Sequence, residues 1–273
     1  MKLAFVTCVQ LGLSCMEAIY DAGGELVQAF TLKDDRAVNK SGRVYIDKFC
    51  EEHSIDLFKL NHVNDKEVIE IIKEKEIDWL FIIGWSQIAG RELLNAPRRG
   101  VLGMHPTLLP RGRGRAAIPW AIIKGLEETG VSLFKLDEGV DTGPILDQQV
   151  IKLNDTIDAK KLYDLVNHAH ISLMRKAIPN ILQDTIQMSI QDESKATEWA
   201  GRKPEDGVID LKGSVENAHR LVRAVTKPYP GAFVFIDGEK YLIWQAQKVS
   251  RVTKNLCLEF RDGILECLTW DKV

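Results

Sequence analysis

Apolar residues in the first half of the chain fall in short unbroken runs, separated by stretches in which they recur at helical spacing. LAFVTCV (3–9) is a continuous run of strand length, helical spacing follows from Leu13 to Ala22, and Gly23-Gly24 ends it. LVQAFTL predicts a second strand. A helix around 42–53, a strand over Asp56–Leu60 and a helix through DKEVIEIIKEKE come next. DWLFIIGW (78–85) reads as a buried central strand and GVLGMH (100–105) as another. Apolar strands alternating with helices predict an α/β fold, a Rossmann-like parallel sheet covered by helices on both faces. Ligands of such sheets bind beyond the carboxyl ends of the strands. Trp85 and His105 fall at two of those ends.

The pattern changes in the second half. From Asp158 to Met188 it is helical, with Leu162, Leu165, Val166, Ala169, Leu173 and Ile178 forming apolar stripes. The polar stretch QDESKATEWAGRKPEDG reads as a linker. One helix over Ser214–Thr226 and the short strands AFVFID, KYLIWQAQKVS, NLCLEF and ILECLTW predict a small β-rich, OB-like module. The expected domains are therefore 1–195 and 196–273, and a chain of 273 residues is long enough for both.

Composition narrows the function classes. A formal charge of −3 and a pI near 6.1 disfavour a surface built to neutralise nucleic-acid phosphates. Five cysteines without a CxxC pair fit a reducing compartment and disfavour structural zinc, so no metal is expected. The apolar N-terminal run reads as a first strand rather than a signal peptide. No stretch approaches the roughly 20 apolar residues of a membrane span, so the cytoplasm is the expected location.

The chemistry concentrates between residues 103 and 143. In GMHPTLLPRGRGRAAIPWAIIKG, His105 closes a strand and Pro106 takes the chain out of the ladder, which aims the imidazole at the ligand crevice. Asp141 follows in TGVSLFKLDEGVDTGPIL, in a turn between strands. Taken singly, each residue has a plainer reading. A lone histidine is more often structural, and aspartate favours turns through its own side-chain hydrogen bonds. His53, His62, His168, His170 and His219 keep the structural reading. His168 and His170, two apart on a predicted helix, do not share a face. Neither a Walker loop nor GxGxxG is present, against a nucleotide-cradling first turn.

Taken together, His105-Pro106-Thr107-Leu108-Leu109-Pro110, Arg113-Gly114 and Asp141-Thr142-Gly143-Pro144 resemble the folate-dependent formyltransferase family. A second block, GRKPEDGVIDLKGSVENAHRLVRAVTKPYPGAFVFI, resembles the C-terminal module of its larger members. The resemblance implies 10-formyltetrahydrofolate as co-substrate and a primary amine as acceptor. His105 would hydrogen-bond the formyl oxygen and help move a proton, and Asp141 would orient His105 and take the proton of the amine. The pterin would lie near Trp85, against Gln87-Ile88-Ala89 and Glu138-Gly139-Val140-Asp141. One departure stands out: the family motif is Asn-x-His, and here Gly103 takes the place of the asparagine that would hold the oxyanion. Loss of one such donor costs about 10²–10³ in rate.

For the acceptor, KGSVENAHRLVRAVTKPYPGAF is most similar to the members that formylate a nucleotide-linked amino sugar, as in bacterial surface-sugar pathways such as that of pseudaminic acid. Arg202, Arg223 and Tyr229 are the candidates for gripping the pyrophosphate or stacking on the base, and Lys33 and Arg113 for meeting the sugar nucleotide. A homodimer through the C-terminal region is implied as well. The alternatives left open are a methionyl-tRNA formyltransferase with tRNA as partner, a formyltetrahydrofolate hydrolase, and a weakly active folate-binding homologue.

Overall fold

A computed structural model describes residues 1–36 and 42–273. The strands are β1 (Leu3–Val6), β2 (Leu26–Leu32), β3 (Asp56–Leu60), β4 (Trp79–Ile82), β5 (Gly100–His105), β6 (Arg113–Gly114), β7 (Glu128–Lys135), β8 (Ile145–Lys152), β9 (Glu198–Trp199), β10 (Ala232–Ile236), β11 (Glu239–Val249), β12 (Cys257–Phe260) and β13 (Gly263–Lys272). The helices are α1 (Gln10–Asp21), α2 (Asp47–Glu52), α3 (Lys66–Glu74), α4 (Arg91–Leu94), α5 (Ala117–Ile123), α6 (Ala159–Leu182) and α7 (Val215–Val225).

A seven-stranded sheet has the order β3-β2-β1-β4-β5-β7-β8. Strands β1 to β5 pair in parallel, and every residue of β1 (LAFV) and β4 (WLFI) is buried, as strands covered on both faces require. Phe5, Phe30, Phe81 and Leu80 are fully buried within it. The amphipathic α3 contributes Val68, Ile69 and Ile72 to the same core.

The sheet departs from the parallel expectation at β7, which runs antiparallel to β5 with His105 opposite Ser132 and Leu102 opposite Lys135. Segment 106–127 returns the chain at the end where β5 finished, so the next strand must run back down. Boundaries also move: α1 begins at Gln10, α2 begins at Asp47 rather than near 42, β4 ends at Ile82 rather than at 85, and α6 ends at Leu182 rather than near Met188.

The chain divides into two compact units that interleave in sequence. The first holds Met1–Arg113, Gly130–Val150 and Asn167–Thr197, and the second holds Gly114–Thr129, Ile151–Val166 and Glu198–Val273. Within the second, a four-stranded antiparallel sheet of order β10-β11-β13-β12 forms the small β-rich module, with α7 against it. Helix α7 is capped by the Ser214 hydroxyl, which accepts from the Asn217 amide at 3.1 Å. It buries Val215, Ala218, Val222 and Val225 along one stripe. The segment read as a linker is not a free connection at its start. Gln191 is buried, because a polar side chain there has hydrogen-bond partners inside the first unit.

His219, on α7, gives the second unit a pH dependence. Burial pushes its pKa down, and the positive charges of Arg223 and Lys248 add to this, while Glu216 and a hydrogen bond to the Ala246 backbone oppose. A histidine depressed in the fold binds its proton more readily when unfolded. Its contribution to stability is therefore present above the ordinary value near 6.5 and lost as the pH falls below it. Thermal melts at pH 7.5 and 5.5 should show a drop that becomes smaller in His219→Gln. An equal drop in both proteins removes His219 as the cause.

Candidate active site

Strands β1, β2, β4 and β5 all end on one side of the sheet, and the chemistry collects there. His105 is the last residue of β5 and only 8% exposed. Its Nε2 lies 2.8 Å from the carbonyl oxygen of Gly112. A carbonyl only accepts, so Nε2 carries a proton in this contact. Nδ1 lies 3.4 Å from the Asp141 carboxylate. Hydrogen-bonding a formyl oxygen through Nε2 would mean giving up Gly112, whereas Nδ1 already faces the carboxylate.

The loop after His105 is set by a buried polar clamp. The Ser132 hydroxyl donates to the Thr107 carbonyl at 2.7 Å, and accepts from the Leu109 amide at 3.0 Å and from Gln148 Nε2 at 2.7 Å. Gln148 also donates to the Leu109 carbonyl at 2.9 Å. Every hydrogen-bonding direction of that hydroxyl is used, so the loop has little freedom to drift.

Asp141 sits in the turn between β7 and β8 with φ +56, a left-handed conformation that non-glycine residues seldom adopt. The turn is close-packed: a Cβ on Gly143 would come within 1.8 Å of the Lys135 carbonyl oxygen. Asp137 ties the turn from the other side, accepting from Thr142 Oγ1 at 2.6 Å and from the Gly139 amide at 3.1 Å.

Arg113 is 4% exposed, and its guanidinium is engaged in the interior. It forks onto Glu193 at 2.9 and 2.6 Å and onto Gln191 Oε1 at 3.2 and 2.8 Å. The same contact holds the Glu193 carboxyl below its ordinary range. As placed, Arg113 braces the site, and a meeting with the sugar nucleotide would require it to let go of these partners. Lys33, by contrast, is exposed just beyond the carboxyl end of β2.

The two loops expected to hold the pterin are both at this mouth. Trp85 packs against the core, and its indole N–H donates to Gln87 Oε1 at 3.2 Å. The Gln87 side chain is spent on the protein, accepting from the Val63 amide at 2.8 Å and donating to the Asn61 carbonyl at 3.2 Å. Asn64 holds the rest of the loop through the Ile88 carbonyl and the Gly90 amide. This leaves Ala89 in the loop wall and Ile88 projecting, 77% exposed. On the opposing loop Val140 is 56% exposed, and Glu138 pairs with Arg91 at 3.2 Å. Leu136, Asp137 and Glu138 also line a groove of about 370 Å³ with Leu94, Gly100 and Lys135.

Gly103 lies on the same face of β5 as His105, two positions away. A Cβ there would meet Leu136 Cδ2 at 2.7 Å and Cγ at 3.2 Å, so the Leu136 side chain fills the space that a residue at 103 would use.

The sequence alone did not single out Ser132, Gln148 and Gln191. Each is a small or neutral polar residue inside a strand or polar stretch. The only signal available was a polar residue at a position whose alternation demands burial.

Comparison with known proteins decides the family. A model described as formyl transferase matches residues 5–178, and one described as formyl transferase, C-terminal domain, matches residues 202–261. The chain belongs to the formyl transferase family. A curated relative, the bifunctional polymyxin resistance protein ArnA of Wigglesworthia glossinidia brevipalpis, is 30% identical over 94% of this chain. The chain spans only 39% of that protein's length. Among solved structures, an N-formyltransferase from Helicobacter canadensis in complex with folinic acid and dTDP-3-aminofucose superposes with a TM-score of 0.72 at 19% identity. That match covers the whole of both chains. The methionyl-tRNA formyltransferase of Clostridium thermocellum gives 0.62 at 19% identity, over 100% of this chain and 99% of its own. These likenesses establish the fold of a formyl transferase, with a parallel-dominated sheet and an antiparallel C-terminal module.

In the second unit of this formyl transferase, the three candidate substrate residues separate. Arg202 and Tyr229 line one cavity of about 120 Å³ with Lys203, Pro119 and Pro230. Arg202 lies over the Trp120 ring, 4.9 Å from its centroid, and donates to the Asp206 carbonyl at 2.7 Å. Burial pushes the Tyr229 phenol up to about 12, so at neutral pH it is a donor. Arg223 lines a different, smaller cavity of about 80 Å³ and donates to the Ile157 carbonyl at 2.6 Å. Among the described residues, no group of three metal-ligating side chains converges, and no helix is long and apolar enough to cross a membrane.

Proposed function

We propose that this formyl transferase moves the formyl group of 10-formyltetrahydrofolate to the primary amine of a nucleotide-linked amino sugar. The observation that carries the reading is the contact of His105 Nδ1, at the end of β5, with the carboxylate of Asp141, in the β7–β8 turn, at 3.4 Å. A carboxylate beside an imidazole forms an acid–base pair that can take a proton from an attacking amine and pass it on.

The amine attacks the formyl carbon, and charge builds on the formyl oxygen. The C–N10 bond then breaks and N10 takes a proton, leaving tetrahydrofolate and the formamide. Asp141 takes the amine proton. His105, turned to it through Nδ1, relays a proton toward the leaving nitrogen. The folate fits the loops in kind: Ile88 and Val140 offer apolar edges to a flat heterocycle, and the groove beside Glu138 is of a size that small ligands use.

For the acceptor, the cavity with Arg202, Lys203 and Tyr229 supplies two cations and a phenol donor, suited to a pyrophosphate beside a ring. The relatives support a sugar, since one solved neighbour holds dTDP-3-aminofucose. A homodimer and a role in bacterial surface-sugar assembly accompany the proposal.

The test is to incubate the protein with 10-formyltetrahydrofolate and a panel of nucleotide-linked amino sugars, following tetrahydrofolate release and acceptor mass. One formyl group gained by one sugar is the expected result. Release without any acceptor indicates a hydrolase, and formylation only of methionyl-tRNA overturns the sugar assignment. In Arg202→Ala, KM for the sugar nucleotide should rise about 10- to 100-fold with folate KM unchanged, the size expected for a lost charge-assisted contact. An unchanged sugar KM takes Arg202 out of the acceptor site.

A further inference from the structure

We propose that Gln191 is a positioning residue that locks the Asp141 turn and thereby sets the geometry of the His105–Asp141 pair. The proposal rests on the reading of that pair as the acid–base couple of formyl transfer.

Gln191 is 5% exposed and has no path to a ligand except through its neighbours. The segment that carries it is fixed by a reciprocal main-chain pair, Ile145 with Ser189, both bonds 2.8 Å long. Two residues further on, Gln191 Nε2 donates to the Asp141 carbonyl at 2.8 Å and to the Gly143 carbonyl at 2.7 Å. Its Oε1 accepts from Arg113 Nε at 3.2 Å and Nη2 at 2.8 Å. An amide has two N–H donors and two acceptor lone pairs, and all four are in use. The orientation is unambiguous as well. A flipped amide would set its oxygen against two carbonyls and its NH₂ against a guanidinium.

The consequence falls on Asp141. Its left-handed backbone, φ +56, has no glycine to relieve it and must be held from outside. Asp137 grips the exposed side of the turn through Thr142 and Gly139, and Gln191 grips the buried side through the two carbonyls that flank residue 142. Glu193 and Arg113 hold Gln191 in turn. The chain of contacts therefore runs Glu193, Arg113, Gln191, Asp141 and His105, with three of its members in the interior. A shift of about 1 Å in a catalytic group can cost about 10²-fold in rate, and loss of the two bonds frees the turn for a shift of that order.

Two variants test this. Gln191→Met keeps the volume and removes both donors. Gln191→Glu keeps the acceptor for Arg113 but sets a carboxylate oxygen against the two carbonyls. In each, kcat should fall about 10- to 100-fold with both KM values within about threefold of wild type. A second readout needs no substrate: the imidazole NMR signal of His105 should move in both variants in the direction in which Asp141→Asn moves it. It decides the proposal even if no formyl acceptor is found, and it separates failure of this inference from failure of the functional reading. Should Gln191→Met not fold, the Glu variant, still anchored by Arg113, gives the answer. A lowered melting temperature with wild-type kcat per folded molecule, or a His105 signal that stays in place, would reduce Gln191 to a packing residue and overturn the proposal.

Discussion

Replacing His105 by Ala is expected to lower formyl transfer by about 10²–10⁴-fold, the range that a positioned acid–base group contributes. The imidazole links two parts of the site, touching the Gly112 carbonyl through Nε2 and the Asp141 carboxylate through Nδ1. Alanine removes both contacts. The Asp141 carboxylate keeps its backbone geometry but loses the group that carries its proton onward. The Gly112 carbonyl loses its imidazole donor, which costs about 1–3 kcal/mol when such a group is buried. The assay therefore belongs well below the variant's melting temperature, with the folded fraction measured in the same sample. His105→Gln, which can still reach toward Gly112, should recover stability but not rate. Folded His105→Ala with activity within tenfold of wild type would remove His105 from the chemistry.

Much of the fold is legible in the pattern of apolar residues, and the reasons are physical. LAFVTCV and DWLFIIGW are apolar without alternation because both faces of their strands are covered, and the structure buries β1 and β4 completely. The four-stranded module follows from short strands joined by turns. The reversal at β7 was not legible, since the sense of a strand depends on where the intervening chain re-enters the sheet and leaves no mark on the strand itself. Interleaving of the two units was equally hidden. Segments 114–129 and 151–166 belong to the second unit although each lies between stretches of the first.

At the site, motif and position together led to His105 and Asp141, and the structure brings them together from the end of β5 and the β7–β8 turn. Other residues could not be sorted from sequence. Arg113 reads as a ligand-gripping cation in a glycine-rich loop, yet its guanidinium is spent on Gln191 and Glu193 inside the first unit. Arg202 and Arg223 look equivalent along the chain and line different cavities. The partners each side chain meets in the fold decide these cases. A charged residue on a loop gives no local sign of whether its partner is a substrate or a carboxylate eighty positions away.

The second large effect concerns Gly103, where the family carries Asn. Position 103 faces the same side of β5 as His105, so an amide there would aim at the reacting oxygen, and a donor of that kind is worth about 10²–10³ in rate. The single variant Gly103→Asn should nevertheless fail to gain, because its Cβ runs into Leu136 Cδ2 and Cγ at 2.7 and 3.2 Å. Crowding of this kind costs about 1–3 kcal/mol, read as a lower melting temperature. Leu136 is only partly buried, and shortening it opens the space. The double variant Gly103→Asn/Leu136→Ala should therefore regain the melting temperature that the single variant loses and raise kcat by about tenfold or more, with sugar KM unchanged. A double variant that is stable but no faster would show that the native site already supplies its oxyanion donor from another group. In that case Leu136 is a wall of the folate groove that Gly103 exists to accommodate, and Leu136→Ala alone should then raise folate KM.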